Sequence, residues 1–261
     1  MIRFVDQEPF PDGPDDLFYA RIRCLWETYG RLPGLAEFWA QESDDGVTAW
    51  LCRMDGGVTL SLLPQADQEE LDEFVWFLAP ASLFCAPEYH IAGWNGAKRG
   101  TVLQYSGSDT CLDTAKLDLV TNPPGERVYS LLSQCRNDAV ELPARDGFLS
   151  DYARRIRLGT GRAKLLRCQG EDAAVAMTTA ESPRLAVVGG VATLPEFRGR
   201  GAASLLLDRL TRELLGEHRR VLLAAGGKDR AAFYQKRGFD PCGGWTLCWN
   251  DPANFDESGR R

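Results

Sequence analysis

One segment in the C-terminal half of the chain restricts the fold more than any other. Leu185 to Leu194 is apolar on both alternating faces, which predicts a central strand covered on both sides. A loop with Gly199 and Gly201 follows, and then an amphipathic helix that is predicted to stop at Gly216. A strand, a glycine loop and a helix start therefore succeed one another, and proteins use this arrangement to bind phosphate groups.

The loop suits phosphate because it exposes successive main-chain N–H groups and the helix adds the positive end of its dipole. Side chains in place of the glycines would keep phosphates away from the main chain. Lys228 cannot belong to a Walker A loop, because Leu222 stands at its first glycine position and Asp229 at its Ser or Thr position. The dinucleotide-binding pattern also fails, since no acidic ribose ligand lies near residues 221–224.

The remaining pattern resembles the GNAT superfamily of N-acetyltransferases. The loop reads Arg198-x-x-Gly201-x-Ala203, which is similar to that family's R/Q-x-x-G-x-G/A motif. A predicted strand at 221–225 leads to a predicted helix at 229–237, where Phe233-Tyr234 and Gly238-Phe239 resemble the family's F-Y-x-x-x-G-F signature. Because both motifs occur in order and at the expected spacing, the segment from Ala163 to Trp249 is similar to the acetyl-CoA-binding core of this family.

The resemblance implies an α/β (α+β) chain with the GNAT fold, a central mixed and mostly antiparallel sheet with flanking helices, preceded by a smaller α/β domain. Two central strands would splay apart, and Gly189-Gly190 would supply the bulge at which they separate. In the alternative interpretation, the two glycines only satisfy a packing constraint. The family's cofactor contacts carry over to the main chain and loop at Val191, Ala192, Thr193, Arg198, Gly199, Arg200, Gly201, Ala202, Ala203 and Ser204, and to Phe233.

The implied function is acetyl transfer from acetyl-CoA to a primary amine of a small molecule or a protein, by direct attack on the thioester and without a metal. Tyr234 matches the position of the family's general acid, although a role in cofactor packing is the alternative. No carboxylate lies in residues 185–193, so the base would be Glu181, Glu196 or a residue of the N-terminal half. This absence leaves a non-catalytic acyl-CoA-binding sensor or scaffold as the alternative function.

The sequence predicts an N-terminal domain over residues 1–115, a GNAT domain over 116–250 and a flexible tail over 251–261. The first domain shows a helix capped by Asp15 or Asp16, a hairpin around Asp55-Gly56-Gly57, a second helix over 65–78 and strands at 81–86 and 101–105. This order is that of a candidate degenerate copy of the same fold. The glycine-bearing segment 94–100 does not reproduce the pyrophosphate motif, so the copy is expected to have lost the cofactor.

Composition restricts the partners. A net charge of −7 disfavours nucleic acid, because phosphate binding needs concentrated Lys and Arg. Residues 1–80 hold 16 acidic against 5 basic side chains, and this excess favours a cationic amine acceptor. The eight scattered cysteines predict reduced thiols in the cytoplasm, and no apolar run is long enough for a membrane span. The resemblance leaves room for a homodimer.

Overall fold

The computed structural model describes residues 1–107, 118–135 and 142–249, and the chain forms two compact units. The N-terminal unit runs from Met1 to Thr101 and includes the end of the chain from Gly243. The C-terminal unit runs from Val102 to Cys242. The predicted boundary between residues 115 and 116 and the predicted tail 251–261 lie outside the described residues, so both stay predictions.

The N-terminal unit is a sheet with one helix on each face. Its elements are β1 (Ile2–Phe4), α1 (Leu17–Tyr29), β2 (Ala36–Ser43), β3 (Gly46–Met54), β4 (Gly57–Leu62), α2 (Gln68–Leu78), β5 (Ser82–Cys85), the start of β6 (Gly96–Tyr105) and the end of β12 (Phe239–Trp249). The strand order is β1-β2-β3-β4-β5-β12, and neighbours are antiparallel except for the parallel pair β4 and β5.

Local chemistry explains these boundaries. The helix α1 begins after Asp16, whose carboxylate accepts a hydrogen bond from the Tyr19 N–H at 2.6 Å, so the predicted cap is confirmed. The predicted hairpin between β3 and β4 turns at Asp55 and Gly56, both with positive φ, as a tight turn requires. The α1 side of the sheet buries aromatic rings such as Trp50, and the α2 side buries aliphatic residues together with Trp39 and Tyr89.

The C-terminal unit has the same architecture with more helices. Its elements are the end of β6, β7 (Asp118–Thr121), α3 (Gly125–Gln134), α4 (Arg145–Leu158), β8 (Ala163–Cys168), β9 (Glu171–Glu181), β10 (Leu185–Thr193), α5 (Ala202–Gly216), β11 (Arg220–Ala225), α6 (Lys228–Gln235) and the start of β12. The strand order is β7-β8-β9-β10-β11-β6, and β10 and β11 are parallel. The prediction that β10 is a central strand is confirmed.

Both units follow one plan. The order β1-α1-β2-β3-β4-α2-β5 in the first corresponds to β7-α3-α4-β8-β9-β10-α5-β11 in the second. In each unit four antiparallel strands are followed by a helix and then by a parallel strand. By this correspondence β4 matches β10, and α2 matches α5. The N-terminal half is thus a second copy of the topology.

Four strands were not predicted from the sequence, namely β1, β2, β7 and β12. The predicted strand at 101–105 is the second half of β6, which begins at Gly96. The strand β2 lacks strict alternation because most of its side chains are buried, and β7 is only four residues long. Across residues 1–107, 118–135 and 142–249, no helix is long and apolar enough to cross a membrane.

Candidate active site

The strand β10 separates from its parallel neighbour halfway along its length. It pairs with β11 only from Leu185 to Val188, although β10 continues to Thr193 and β11 to Ala225. On its other edge β10 stays paired with β9 as far as Thr193. Its last residues, including the predicted contacts Val191, Ala192 and Thr193, are half-buried. The divergence leaves one edge of this segment open to a ligand that can pair with a strand.

Two bulges mark the point of separation. Thr179 is an extra residue of β9, because Val187 pairs with Ala180 while Val188 pairs with Thr178. A second shift lies in β10 between Gly189 and Ala192, so the predicted glycine bulge is confirmed.

Packing at the bulge also requires the glycines. A Cβ atom at Gly189 would lie 2.5 Å from Thr179 Cγ2, and Gly190 has a φ of +54°. The buried Arg155 of α4 fixes the same place, because its Nη1 donates to the Thr179 carbonyl at 2.6 Å. Its Nε pairs with Asp151 Oδ1 at 3.1 Å. Arg155 was not predicted from the sequence, because its partner is a main-chain atom that no local motif reveals.

The loop after β10 presents unsatisfied main-chain donors. A 3₁₀ turn (Pro195–Phe197) leads to Gly199 and Gly201, which have φ values of +75° and +81°. The first main-chain bond of α5 runs from Leu205 N to Gly201 O at 3.0 Å, and the helix has no side-chain cap. Within the part of the chain that the structure describes, the N–H groups of residues 199–204 make no hydrogen bond to a protein acceptor.

Space above the loop is open as well. A Cβ atom at Gly199 or Gly201 would meet no heavy atom within 4 Å. Open space, successive N–H donors and the N-terminal end of a 15-residue helix are the features that a diphosphate group requires. The residues present therefore fit the pyrophosphate of coenzyme A.

Two arginines and a cysteine surround this loop. The exposed Arg198 donates from Nε to the Thr193 carbonyl at 3.0 Å, which ties the loop back to the end of β10. The Arg200 guanidinium lies 5.8 Å from the centre of the Phe197 ring. Burial raises the pKa of the Cys135 thiol at the end of α3, although its hydrogen bond with Arg198 opposes the effect. Cys135 is a neighbour of the site that no sequence motif identified.

The predicted aromatic pair lies on α6. Phe233 and Tyr234 pack edge to face at 5.2 Å and join the hydrophobic cluster that holds Val191 and Ala202. The structure thus brings the strand, the loop and the predicted acid into one cluster. Burial raises the pKa of Tyr234, and the nearby Arg230 opposes this shift. Its hydroxyl makes no hydrogen bond within the described residues, so it is available to a ligand atom.

The structure removes Glu181 from the candidate bases. This carboxylate is 2% exposed and accepts hydrogen bonds from Arg162 at 2.8 Å and also from Arg219. It also lies opposite Ala186, near the start of β10, and accepts a hydrogen bond from the Thr178 hydroxyl at 2.8 Å. Glu196 is exposed in the 3₁₀ turn and stays a candidate. Among the described residues, no group of His, Cys, Asp and Glu could hold a metal ion.

Comparison with known proteins agrees with this geometry. Residues 161–241 match the family model described as the acetyltransferase (GNAT) domain. This range begins just before β8 and ends within β12, so it contains the divergent strands, the glycine loop and α6. None of the curated proteins matches the sequence.

Solved structures extend the likeness to both units. A GNAT-family protein from Novosphingobium aromaticivorans matches with a TM-score of 0.54 and 20% identity, over 88% of this chain and 96% of that one. An acetyltransferase from Colwellia psychrerythraea has a TM-score of 0.56 and 12% identity, over 95% and 99%. A tandem GNAT protein from the clavulanic acid biosynthesis pathway has a TM-score of 0.55 and 16% identity, over 97% and 99%. These likenesses show a shared fold, and the N-terminal unit is a second GNAT-like domain.

Proposed function

We propose that this chain, which belongs to the GNAT superfamily through its domain at residues 161–241, transfers an acetyl group from acetyl-CoA to a primary amine of a small molecule or a protein, by direct attack on the thioester. The observation that carries the proposal is the run of unbonded N–H groups at residues 199–204 beside the open edge of β10. Acetyl-CoA has a diphosphate for the first feature and amides in its pantetheine arm for the second.

Each part of the substrate has a proposed contact. The loop residues Arg198 to Ser204 would hold the pyrophosphate through main-chain N–H groups, and the Arg198 and Arg200 side chains add positive charge. The main chain of Val191 to Thr193 would pair with the pantetheine amides and hold the acetyl group. Phe233 would supply an apolar contact from α6. Bound acetyl-CoA supplies an activated acyl group, and the chain aligns that group with the amine.

Tyr234 is the proposed acid for the departing thiolate. Its pKa is raised by burial above the usual value near 10, so the hydroxyl keeps its proton at neutral pH. A free thiol has a pKa of about 8.5, so complete transfer from the phenol is uphill. We therefore propose that Tyr234 donates a hydrogen bond to the sulfur as the carbon–sulfur bond breaks.

We propose the chemical class of the acceptor from the net charge of residues 1–80. The acidic excess of residues 1–80 creates a field that attracts cations, and an amine substrate is a cation until it loses a proton. We propose that water carries this proton to a carboxylate, for which Glu196 is a candidate. We do not propose nucleic acid as a partner. We propose that the chain forms a homodimer, which sedimentation analysis would test. Seven free cysteines among the described residues favour a cytoplasmic location.

The test begins with calorimetric titration of acetyl-CoA into the full chain. We expect binding at about one molecule per chain, because one unit has the open loop. A panel of primary amines then follows, with release of the coenzyme A thiol and the mass of the acetylated product as readouts. No binding would overturn the proposal. Binding without transfer to any amine would favour the alternative of a non-catalytic acyl-CoA-binding module.

A further inference from the structure

A row of aromatic rings lies on the α2 side of the N-terminal unit and reaches solvent at both ends. The row consists of Phe4, Trp39, Phe74 and Phe77, with ring centres 5.8, 5.4 and 6.1 Å apart in that order. Phe77 is 80% exposed and Phe4 is 51% exposed. Contiguous aromatic rings left open to water are costly on a protein surface, and such patches mark interaction sites.

The charge beside this aromatic row is negative. Four acidic residues and no basic residue belong to α2. Glu69, Glu73 and Phe77 are spaced by four residues, so they form one stripe along the helix. Glu69 and Glu73 are exposed and form no ion pair within the described ranges. The stripe therefore combines unpaired negative charge with an exposed ring.

The basic side chain that contacts this row is already paired. Arg53 donates to Glu37 at 2.6 Å, and its guanidinium lies 5.9 Å from the centre of the Trp39 ring. This last contact shows that the aromatic row accepts a cation over a ring face.

The corresponding helix of the C-terminal unit supplies an internal control. On α5 the outer face carries Arg209 and the ion pair of Asp208 with Arg212, and Leu215 is its exposed large apolar residue, at 38%. The two helices occupy the same place in the shared topology, so the fold itself does not demand exposed rings there. The aromatic row is a property of the N-terminal unit alone.

We propose that the aromatic row is a docking surface for a basic polypeptide segment of a partner protein. Apolar side chains of that segment would cover Phe4 and Phe77, and its Lys or Arg residues would pair with Glu69 and Glu73. A second copy of this chain would bring the same negative stripe against itself, and an anionic lipid surface would be repelled. Charge complementarity thus selects a cationic protein segment.

The test uses the full chain and two synthetic peptides, measured by fluorescence anisotropy without acetyl-CoA. The first peptide, of about 18 residues, has Leu and Phe on one helical face and Lys and Arg on the other. The second has Glu at every Lys and Arg position. We expect the double variant Phe4→Ser/Phe77→Ser to bind the basic peptide about tenfold more weakly than the wild type. Leu215→Ser is the matched control and should bind as the wild type does.

Further measurements distinguish a basic protein segment from the other two ligands of this surface, a second copy of the chain and a lipid membrane. Glu69→Gln/Glu73→Gln should weaken binding of the basic peptide, and salt raised to about 0.5 M should do the same. The proposal is overturned if the wild type does not bind the basic peptide, or if the double variant or the acidic peptide binds as tightly. Sedimentation that shows a dimer lost in the double variant would assign the surface to a second copy and also overturn it. Vesicles of phosphatidylcholine and phosphatidylserine that bind through the aromatic row would overturn it in favour of lipid.

Discussion

The helices α2 and α5 occupy the same place in the two units, but they begin in opposite ways. The first turn of α5 leaves its N–H groups open above two glycines. At α2, Asp67 Oδ1 accepts a hydrogen bond from Glu70 N at 3.1 Å, and Asp67 N donates to Gln41 Oε1 at 3.0 Å. Glu70 in turn pairs with the N-terminal amine of Met1 at 3.1 Å. The chain's own side chains thus fill the place that a phosphate would need.

The strands that precede these two helices, β4 and β10, resemble each other, in contrast to the helix starts. The strand β4 pairs with β5 only from Gly57 to Thr59 and then continues to Leu62. This repeats the behaviour of β10, which leaves β11 after Val188. The N-terminal unit therefore keeps the strand divergence but lacks the glycine loop. Divergence belongs to the fold, whereas the loop chemistry decides which unit can hold a diphosphate.

The largest effect is expected for Gly201→Glu. Its carboxylate would enter the proposed phosphate-binding loop and repel the phosphates. A non-glycine residue at φ +81° is also strained by about 1–2 kcal/mol. Calorimetry should show acetyl-CoA affinity reduced by about 100-fold or more. Gly216→Glu is the matched control, because it adds the same charge at the other end of α5, where a Cβ meets open space. Equal affinity of the two variants would contradict the assignment of the loop.

Tyr234→Phe is expected to lower kcat by about 10- to 100-fold and to leave the Kd of acetyl-CoA unchanged. The matched control is Tyr105→Phe, because Tyr105 also packs on Phe239, at 5.2 Å. Since the pKa of Tyr234 is raised above its usual value near 10, loss of its proton should not reduce wild-type kcat between about pH 7 and 9. Unchanged kcat in Tyr234→Phe would leave this residue only a packing role.

The parts of the site that depend on local chemistry could be predicted from the sequence. Positive φ at Gly199 and Gly201, the apolar strand before them and the periodic helix after them all leave a pattern in the sequence. Arg155 and Cys135 were missed because they reach the site through tertiary contacts. A motif search cannot see an arginine whose partner is a carbonyl 24 residues away.

For the same reason, the equivalent of the glycine loop in the N-terminal unit could not be found from the sequence. Two of its strands, β1 and β2, were not predicted, and the segment compared with the pyrophosphate motif was the glycine-bearing segment 94–100. The topology instead places the equivalent of the glycine loop at residues 63–67, between β4 and α2. That segment contains no glycine, so no residue pattern connects it with the loop after β10. Only the register of the strands shows that the two are equivalent.

Arg155→Met tests whether the strand divergence contributes to catalysis. The change leaves the Thr179 carbonyl without this donor at the bulge, so the open edge of β10 should shift while the phosphate-binding loop stays. We expect kcat to fall by about tenfold and the KM of acetyl-CoA to change by less than about threefold. Hydrogen exchange should quicken at residues 178–180 and 188–191, and Arg155→Lys should restore part of kcat.

Arg127→Met is the control for Arg155→Met, because it breaks an ion pair with Asp172 that lies away from the bulge. It should alter neither kcat nor exchange at residues 188–191. If both variants lose the same activity in proportion to a lower melting temperature, Arg155 serves stability alone. A fall in kcat with full acetyl-CoA stoichiometry would instead support its positioning role.

The smallest effect is expected for Asp67→Ala, which tests the closed start of α2. Loss of the cap should lower the free energy of unfolding by about 1 kcal/mol, seen as a lower urea midpoint. Asp67→Asn keeps an acceptor for Glu70 N and should retain most of that stability. Acetyl-CoA should still bind at about one molecule per chain in both variants, because Glu69 and Glu70 keep negative charge in the first turn and no glycine loop is created. A second binding event in Asp67→Ala would mean that the cap alone closes this seat, and the contrast between the two units would then reduce to a single side chain.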